Sequence, residues 1–333
     1  MGEREFRDSA GPVNDGFRAI PLKKFLKCWG TDPIRLAFCL SPDDICELGE
    51  WQNGDWTLVH PDYTVRFWGV RGSIACPGPD TIRYGGNTSC VEIRCGGHLM
   101  IFDGGTGLRL LGNELMASGQ PAKLDLFYSH THFDHICGLP FFAPCYDARS
   151  SMRIWAGHLN GKGIETVLNN MMIAPLFPIP MGIFTAKMEF TDFAAGDALA
   201  PHPGIRLGTG RLNHPNGATG YRIEYGGKVV AYITDTEHRP GERDPHVLTL
   251  INGADVMIYD ASYTDAEYPA HKDWGHSTWQ EGIRLADAAG VKTLVIFHHD
   301  PGHDDDFMDQ VAADAALARP GTIVAQEGLV LRP

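Results

Sequence analysis

The stretch LDLFYSHTHFDHICGLP, residues 124–140, constrains this chain more than any other: an apolar run ends at His130, and His132, Asp134 and His135 follow within six residues. Successive side chains of a strand point to opposite faces. Four ligand-type groups therefore converge only where the strand has ended and the chain turns, and Gly138 and Pro140 lie just past that turn. Imidazole nitrogen and carboxylate oxygen suit zinc, manganese or iron, whereas calcium asks for an all-oxygen shell. Three of the chain's fifteen histidines interleaved with an acid predict a metal cradle at a strand tip rather than a loop of solvated histidines.

Two adjacent metals need about seven side chains, and the cradle supplies four. Later strand ends offer the remaining ligand types: His214 after IRLGTGRLN, Asp235 after KVVAYIT, and His298 after KTLVIF. A lone strand-end histidine is more often structural than ligating, but the ordered set carries weight. Together with Asp103 in IFDGGTG, the pattern resembles the metallo-β-lactamase fold superfamily from about Tyr63 to the C-terminus.

That resemblance implies an α+β fold, a four-layer αββα sandwich with a dinuclear site along one edge between the sheets. It implies that His130, His132 and His214 hold one metal and that Asp134, His135 and His298 hold the other, with Asp235 between them and Asp103 steadying a ligand histidine. His298 is preferred over its neighbour His299 because it aligns with the family's terminal histidine. The cofactors implied are two divalent metal ions, zinc before manganese or iron.

A second motif narrows the chemistry. Gly275, His276, Ser277 and Thr278 spell GHST, and Trp279, Ile283, Leu285 and Ala289 follow before Gly290. The pattern predicts a helix with Ser277 as N-cap, Gln280 completing a capping box, and Gly290 as the stop. A helix start holds anions, and His276 stands just before it. GHST at this distance from His298 is similar to the phosphodiesterase branch of the superfamily, which includes transfer-RNA 3′-processing nucleases and small cyclic-phosphate diesterases. There the matching histidine contacts the scissile phosphate. The implied reaction is metal-dependent phosphodiester hydrolysis by a water held between the metals, with Asp134 or Asp235 accepting its proton and His276 stabilising charge or protonating the leaving group. Two other readings stay open: a carboxyl ester or lactone hydrolase, in which His276 is idle, and an accessory protein that binds a nucleotide or cofactor without turnover.

Charge bears on the substrate. With 28 Lys plus Arg against 41 Asp plus Glu the formal net charge is −13, and no basic run is present to follow a polynucleotide backbone. A small diester, a cyclic nucleotide or other cyclic phosphodiester, is expected rather than extended nucleic acid, and no basic glycine-rich arm for transfer RNA is apparent. The 333 residues suffice for a large core, and their 43% hydrophobic content is that of a globular protein. No apolar stretch reaches a membrane span's length, and the N-terminus lacks a signal-peptide core, so a cytoplasmic protein is expected. The eight cysteines form no C-x-x-C pair, which predicts free core thiols.

Residues 1–20 are expected to be disordered by composition, and 21–62 to form a short helical appendage from PLKKFLKCWG and SPDDICELGEW. That appendage would dock on the catalytic domain, 63–333, or serve a homodimer contact or, with Lys23, Lys24 and Lys27, a membrane surface. The turn-rich loop 71–90 is expected to line the pocket or an oligomer contact. The apolar 171–184 stretch is expected to serve as a lid, a pocket wall or simple core. GG pairs at 96 and 226 predict hairpin turns. Two halves of similar topology are expected from the resemblance but leave no visible repeat in the sequence.

Overall fold

The computed structural model describes residues 63–159 and 161–333, together with the backbone of 35–38, 47–52 and 55–59. The chain forms two compact units, Met1–Pro61 and Asp62–Pro333. In the first, β1 (Arg35–Phe38), β2 (Glu47–Gln52) and β3 (Asp55–Val59) make an antiparallel sheet of three strands in chain order. The helix expected over 41–51 is therefore wrong from residue 47 onward. Gln52 pairs with Asp55, and the intervening Asn53-Gly54 is a stronger hairpin signal than the Ser41-Pro42 helix start. The disorder expected of 1–20 and the helix expected of PLKKFLKCWG lie outside the described residues.

The second unit begins with β4 (Thr64–Gly69), β5 (Cys90–Cys95), β6 (His98–Phe102), α1 (Gly107–Ala117), β7 (Lys123–Tyr128) and the one-turn α2 (Phe133–Ile136). It continues through β8 (Ser151–Ala156), α3 (Ile164–Met171), β9 (Lys187–Asp192), β10 (Ala198–His202), β11 (Ile205–Leu212), β12 (Ala218–Tyr225) and β13 (Lys228–Ile233). Last come α4 (Pro245–Ile251), β14 (Val256–Asp260), α5 (Trp279–Ala289), β15 (Thr293–Phe297), α6 (Asp305–Ala318), β16 (Ile323–Val324) and β17 (Val330–Leu331).

Two seven-stranded sheets result, ordered β17-β4-β5-β6-β7-β8-β9 and β10-β11-β12-β13-β14-β15-β16. Along each order the first three pairings are antiparallel and the last three parallel. The two halves thus share one topology, with the C-terminal β17 completing the first sheet.

Period-two alternation builds the layers. In β6, Met100 and Phe102 face the second sheet and pack with Tyr232, Ile258 and Phe297, while Leu99 and Ile101 face α1 and α3. In the second sheet, Tyr232 and Ile258 point inward while Ala231, Ile233 and Met257 lie under α4 and α5. Burying each large apolar side chain contributes roughly 1.5–3 kcal/mol, and both faces of both sheets are used. The αββα sandwich is therefore the observed architecture.

Gly96-Gly97 and Gly226-Gly227 are two-residue hairpin turns, both glycines of each pair at positive φ. The 171–184 segment is divided: Met172 and Met181 are buried, and Met171, Phe177 and Phe184 pack beside them in the outer layer of the first sheet, while Ile173, Leu176, Ile179 and Ile183 are exposed. The described cysteines, Cys76, Cys90, Cys95, Cys137 and Cys145, are free. Among the described residues no helix is long and apolar enough to cross a membrane.

Backbone hydrogen bonds help fasten the metal loop to the tip of β6. Gly104 N donates to His135 O at 2.7 Å and Gly138 N donates to Gly104 O at 2.9 Å. A Cβ on Gly138 would lie 1.9 Å from Gly105 O. Gly138→Ala should therefore push the loop off the β6 tip, lowering stability by roughly 1–3 kcal/mol together with metal content, as read by thermal melts and elemental analysis.

Candidate metal centre

Every proposed ligand sits where a strand or short helix stops. His130 and His132 follow β7, Asp134 and His135 lie on α2, His214 follows β11, Asp235 follows β13 and His298 follows β15. Asp103, Asp235 and His298 adopt left-handed backbone, with φ of 60°, 53° and 63°. A non-glycine residue there is uncommon, and here it reverses the chain directly after an inner strand.

The structure brings all seven together. Ligand atoms of His130, His132 and His214 lie within 4.8 Å of one another, as do those of Asp134, His135 and His298. Asp235 stands between the sets: its Oδ2 is 3.6 Å from Nε2 of both His130 and His214, while its Oδ1 is 3.2 Å from His135 Nε2 and 3.3 Å from His298 Nε2. One carboxylate thus presents one oxygen to each set.

The far sides of the rings are occupied. His135 Nδ1 donates to Asp103 Oδ2 at 2.8 Å, and His214 Nδ1 donates to Gly275 O at 2.8 Å. His130 Nδ1 is 3.0 Å from Ser129 Oγ, and His298 Nδ1 is 3.1 Å from Ser262 Oγ. Such partners fix the tautomer and aim the opposite nitrogen. His130 Nε2, fully buried, has no hydrogen-bond partner. A buried orphan nitrogen is costly, and a cation shared with His132 and His214 would resolve it.

The charge states of Asp235, His130 and His214 fit metal binding, whereas at His135 burial is outweighed by the carboxylates of Asp134, Asp235 and Asp103, which push the imidazole up. Burial opposes ionisation of Asp235, yet His298, His135 and His130 hold its carboxyl well below the ordinary range. Burial pushes His130 and His214 down, toward the neutral form that binds metals. The donor set of imidazoles and carboxylates fits two divalent cations of the zinc type.

His299 points elsewhere. Its Nε2 donates to Ala325 O at 2.9 Å, and burial pushes its pKa down to about 3.

His276 adjoins the cluster, its ring stacked 4.9 Å from that of His298. Its Nδ1 donates to Asp260 Oδ2 at 2.9 Å. Burial would lower its pKa, but Asp260, with Asp235 and Asp134 beyond, holds it up at about 9. The following helix starts one residue later than expected: Thr278, not Ser277, is the N-cap of α5 and accepts from Glu281 N. Ser277 Oγ instead bonds Tyr259 Oη at 2.9 Å and His238 Nδ1 at 2.8 Å. An interior partner for the serine wins over a cap that the next residue supplies equally well. Gly290, at φ 65°, closes the helix as expected.

Several contributors were not anticipated. Asp260 ends β14 and accepts from His276 and, at 2.9 Å, from Ser262 Oγ; the strand-end rule that picked Asp235 applies equally to VMIYD and would have found it. Buried Arg71 donates to Gly85 O, Asp300 O and His303 O, stapling the 71–90 loop to the segment beyond His298. That loop reaches the centre, since Ser73 N donates to Asp134 Oδ2 at 2.8 Å. Ile74, Phe133 and Trp274 are exposed. No sequence signal marked Arg71.

An αββα sandwich that gathers these side chains at its strand tips has the architecture of a metallo-β-lactamase-fold protein. A family model described as the beta-lactamase superfamily domain matches residues 99–299, more than half of the 333 residues, and the chain belongs to that superfamily. It is similar to the ribonuclease Z of Bradyrhizobium sp. (strain ORS 278), 24% identical over an alignment 286 residues long that covers 71% of this chain and 90% of that protein. Among solved structures it resembles the metallo-β-lactamase fold protein YhfI from Bacillus subtilis, with a TM-score of 0.61 and 18% identity over 81% of this chain and 99% of that one. It also resembles a diphosphatase from the PhnP family, with a TM-score of 0.58 and 19% identity over 81% and 98% of the two chains. These structural likenesses are likenesses of fold.

Elemental analysis should find two metals per chain, and their removal by chelation should lower the melting temperature reversibly. Asp235→Ala should reduce occupancy of both positions, because two close cations without the anion between them repel. His298→Ala should lose mainly one metal. His299→Ala should keep both and lose only stability; loss of a metal there instead would make His299 the ligand.

Proposed function

We propose that the protein is a metal-dependent phosphodiesterase acting on a small diester, with a cyclic nucleotide or other cyclic phosphodiester as the substrate class. The observation that carries this reading is the His276–Asp260 pair beside the ligand cluster, with His276 Nδ1 3.9 Å from Asp235 Oδ2. His276 lies outside the set of seven and is held protonated, so it meets the substrate as a cation or acid. An ester or lactone hydrolase has no evident use for it.

When bound, two divalent cations would supply Lewis-acid stabilisation of attacking and leaving oxygens and a water of lowered pKa. His130, His132 and His214 would hold one, Asp134, His135 and His298 the other, and Asp235 both. Asp134 and Asp235 are the carboxylates near enough to accept the proton of the attacking water. His276, its Nδ1 committed to Asp260, keeps Nε2 for a phosphoryl oxygen or for protonating the departing alkoxide.

A second reading, cleavage of transfer-RNA precursors, draws support from the relatives named ribonuclease Z. The net charge of −13 weighs against it. So does the connection between His214 and Asp235, which is the β12–β13 hairpin with a two-residue turn and leaves no room there for an RNA-gripping arm.

A panel of bis(p-nitrophenyl) phosphate, cyclic mononucleotides, a short RNA and a lactone separates these readings, and diester turnover with inert lactone and RNA is expected. His276→Ala should leave two metals per chain and lower kcat on a cyclic nucleotide roughly 10²-fold or more. The loss should shrink for p-nitrophenolate, which leaves without protonation. Equal losses on both would assign His276 to phosphate binding, and no loss would return the ester hydrolase to first place.

A further inference from the structure

A cavity of about 310 Å³ lies beside the metal centre on the His130, His132 and His214 side, lined among others by Gly157, His158, Asp192, Phe193, Arg211 and Gly217. It abuts the centre through two short links. Thr131, between the two cradle histidines, places Oγ1 3.1 Å from His158 Nε2, and Gly217 N donates to His214 O at 2.8 Å.

Its lining is unusual for a surface hollow. His158 is 8% exposed, and its Nδ1 has no hydrogen-bond partner. No hydrogen bond or ion pair engages the guanidinium of Arg211 among the described residues, although the protein carries an acidic excess of 13 charges. Asp192 commits Oδ1 to Ile164 N at 2.9 Å, which leaves Oδ2 as an acceptor. The glycines keep the walls thin, and a Cβ at Gly157 would lie 2.2 Å from the Phe193 ring. A residue with a side chain at 157 would therefore displace that aromatic wall.

We propose that this cavity is a nucleobase subsite of the diester-binding site, an inference that rests on the phosphodiesterase reading above. A hollow built for a second phosphate would be lined by cations and N–H groups alone, and the Asp192 carboxylate speaks against that. An aromatic wall, a planar guanidinium, a free carboxylate oxygen and an unpartnered imidazole nitrogen instead match the π-face and the mixed donor and acceptor edge of a base. With its phosphate at the metals, a nucleotide would reach the cavity past Thr131 and Gly217.

Isothermal titration of the zinc-loaded full chain with AMP, UMP and ribose 5-phosphate tests this without depending on turnover. At least one nucleotide should bind roughly tenfold more tightly than ribose 5-phosphate, the scale of one stacked base. Arg211→Gln and Phe193→Leu should each shrink that ratio several-fold; Arg211 is exposed, so its variant tests the site even if the Phe193 variant is unstable. A wild-type ratio near one, or a ratio untouched by both variants, overturns the proposal. Diester turnover with no nucleotide preference would remove the subsite and keep the phosphodiesterase. Nucleotide preference without any diester turnover would do the reverse.

Discussion

One buried carboxylate, Asp103, ties the two sheets together at the place where the ligands gather. It accepts from Ser129 N and Ser129 Oγ at the tip of β7, from His135 on α2, and from the Tyr232 hydroxyl of β13 in the opposite sheet. A fully buried anion is tolerable only with its lone pairs filled, and these four donors fill them. Any shift of one sheet across the other would break at least one bond to a charge. The spacing of the strand tips, and with it the spacing of the ligand sets, is thereby held to a narrow range.

The second half repeats this chemistry with different residues. Asp103 reaches His135 directly and lies one serine, Ser129, from His130. Asp260 reaches His276 directly and lies one serine, Ser262, from His298. Each buried carboxylate thus aims two imidazoles. The difference sits in what they aim: Asp103 serves two residues of the ligand set, Asp260 one ligand and the one histidine outside it. Holding His276 by the same kind of carboxylate contact that holds the proposed ligands is what its proposed role in the reaction would require.

Much of this was legible in the sequence because ligand positions coincide with strand ends, and strand ends are visible wherever an apolar run meets a polar residue. His214, Asp235 and His298 were found in that way, and Gly290 stops α5 where the pattern placed it. Long-range partners were not legible. Asp260 and His276 are sixteen residues apart in sequence, and Arg71 reaches carbonyls more than two hundred residues away. Competition between equivalent local choices was also invisible: Ser277 and Thr278 could each cap α5, and only the interior position of Tyr259 and His238 decides between them. The shared topology of the two sheets leaves no sequence repeat because it resides in pairing directions rather than in side chains.

The charge of the whole molecule and the charge of the centre act over different distances. An acidic excess of 13 surrounds the protein with a field that opposes any long polyanion along its entire length. Two bound divalent cations would reverse the sign only locally, and salt limits their reach to about 8 Å. A diester with a single negative charge feels chiefly the local term once it enters the cleft. A polynucleotide would feel both, and every phosphate beyond the reacting one would add to the repulsion. On the phosphodiesterase reading proposed above, the net charge of −13 therefore weighs more against extended nucleic acid than against a small diester, and it makes Arg211, unpaired among the described residues, more telling than it would be on a basic protein.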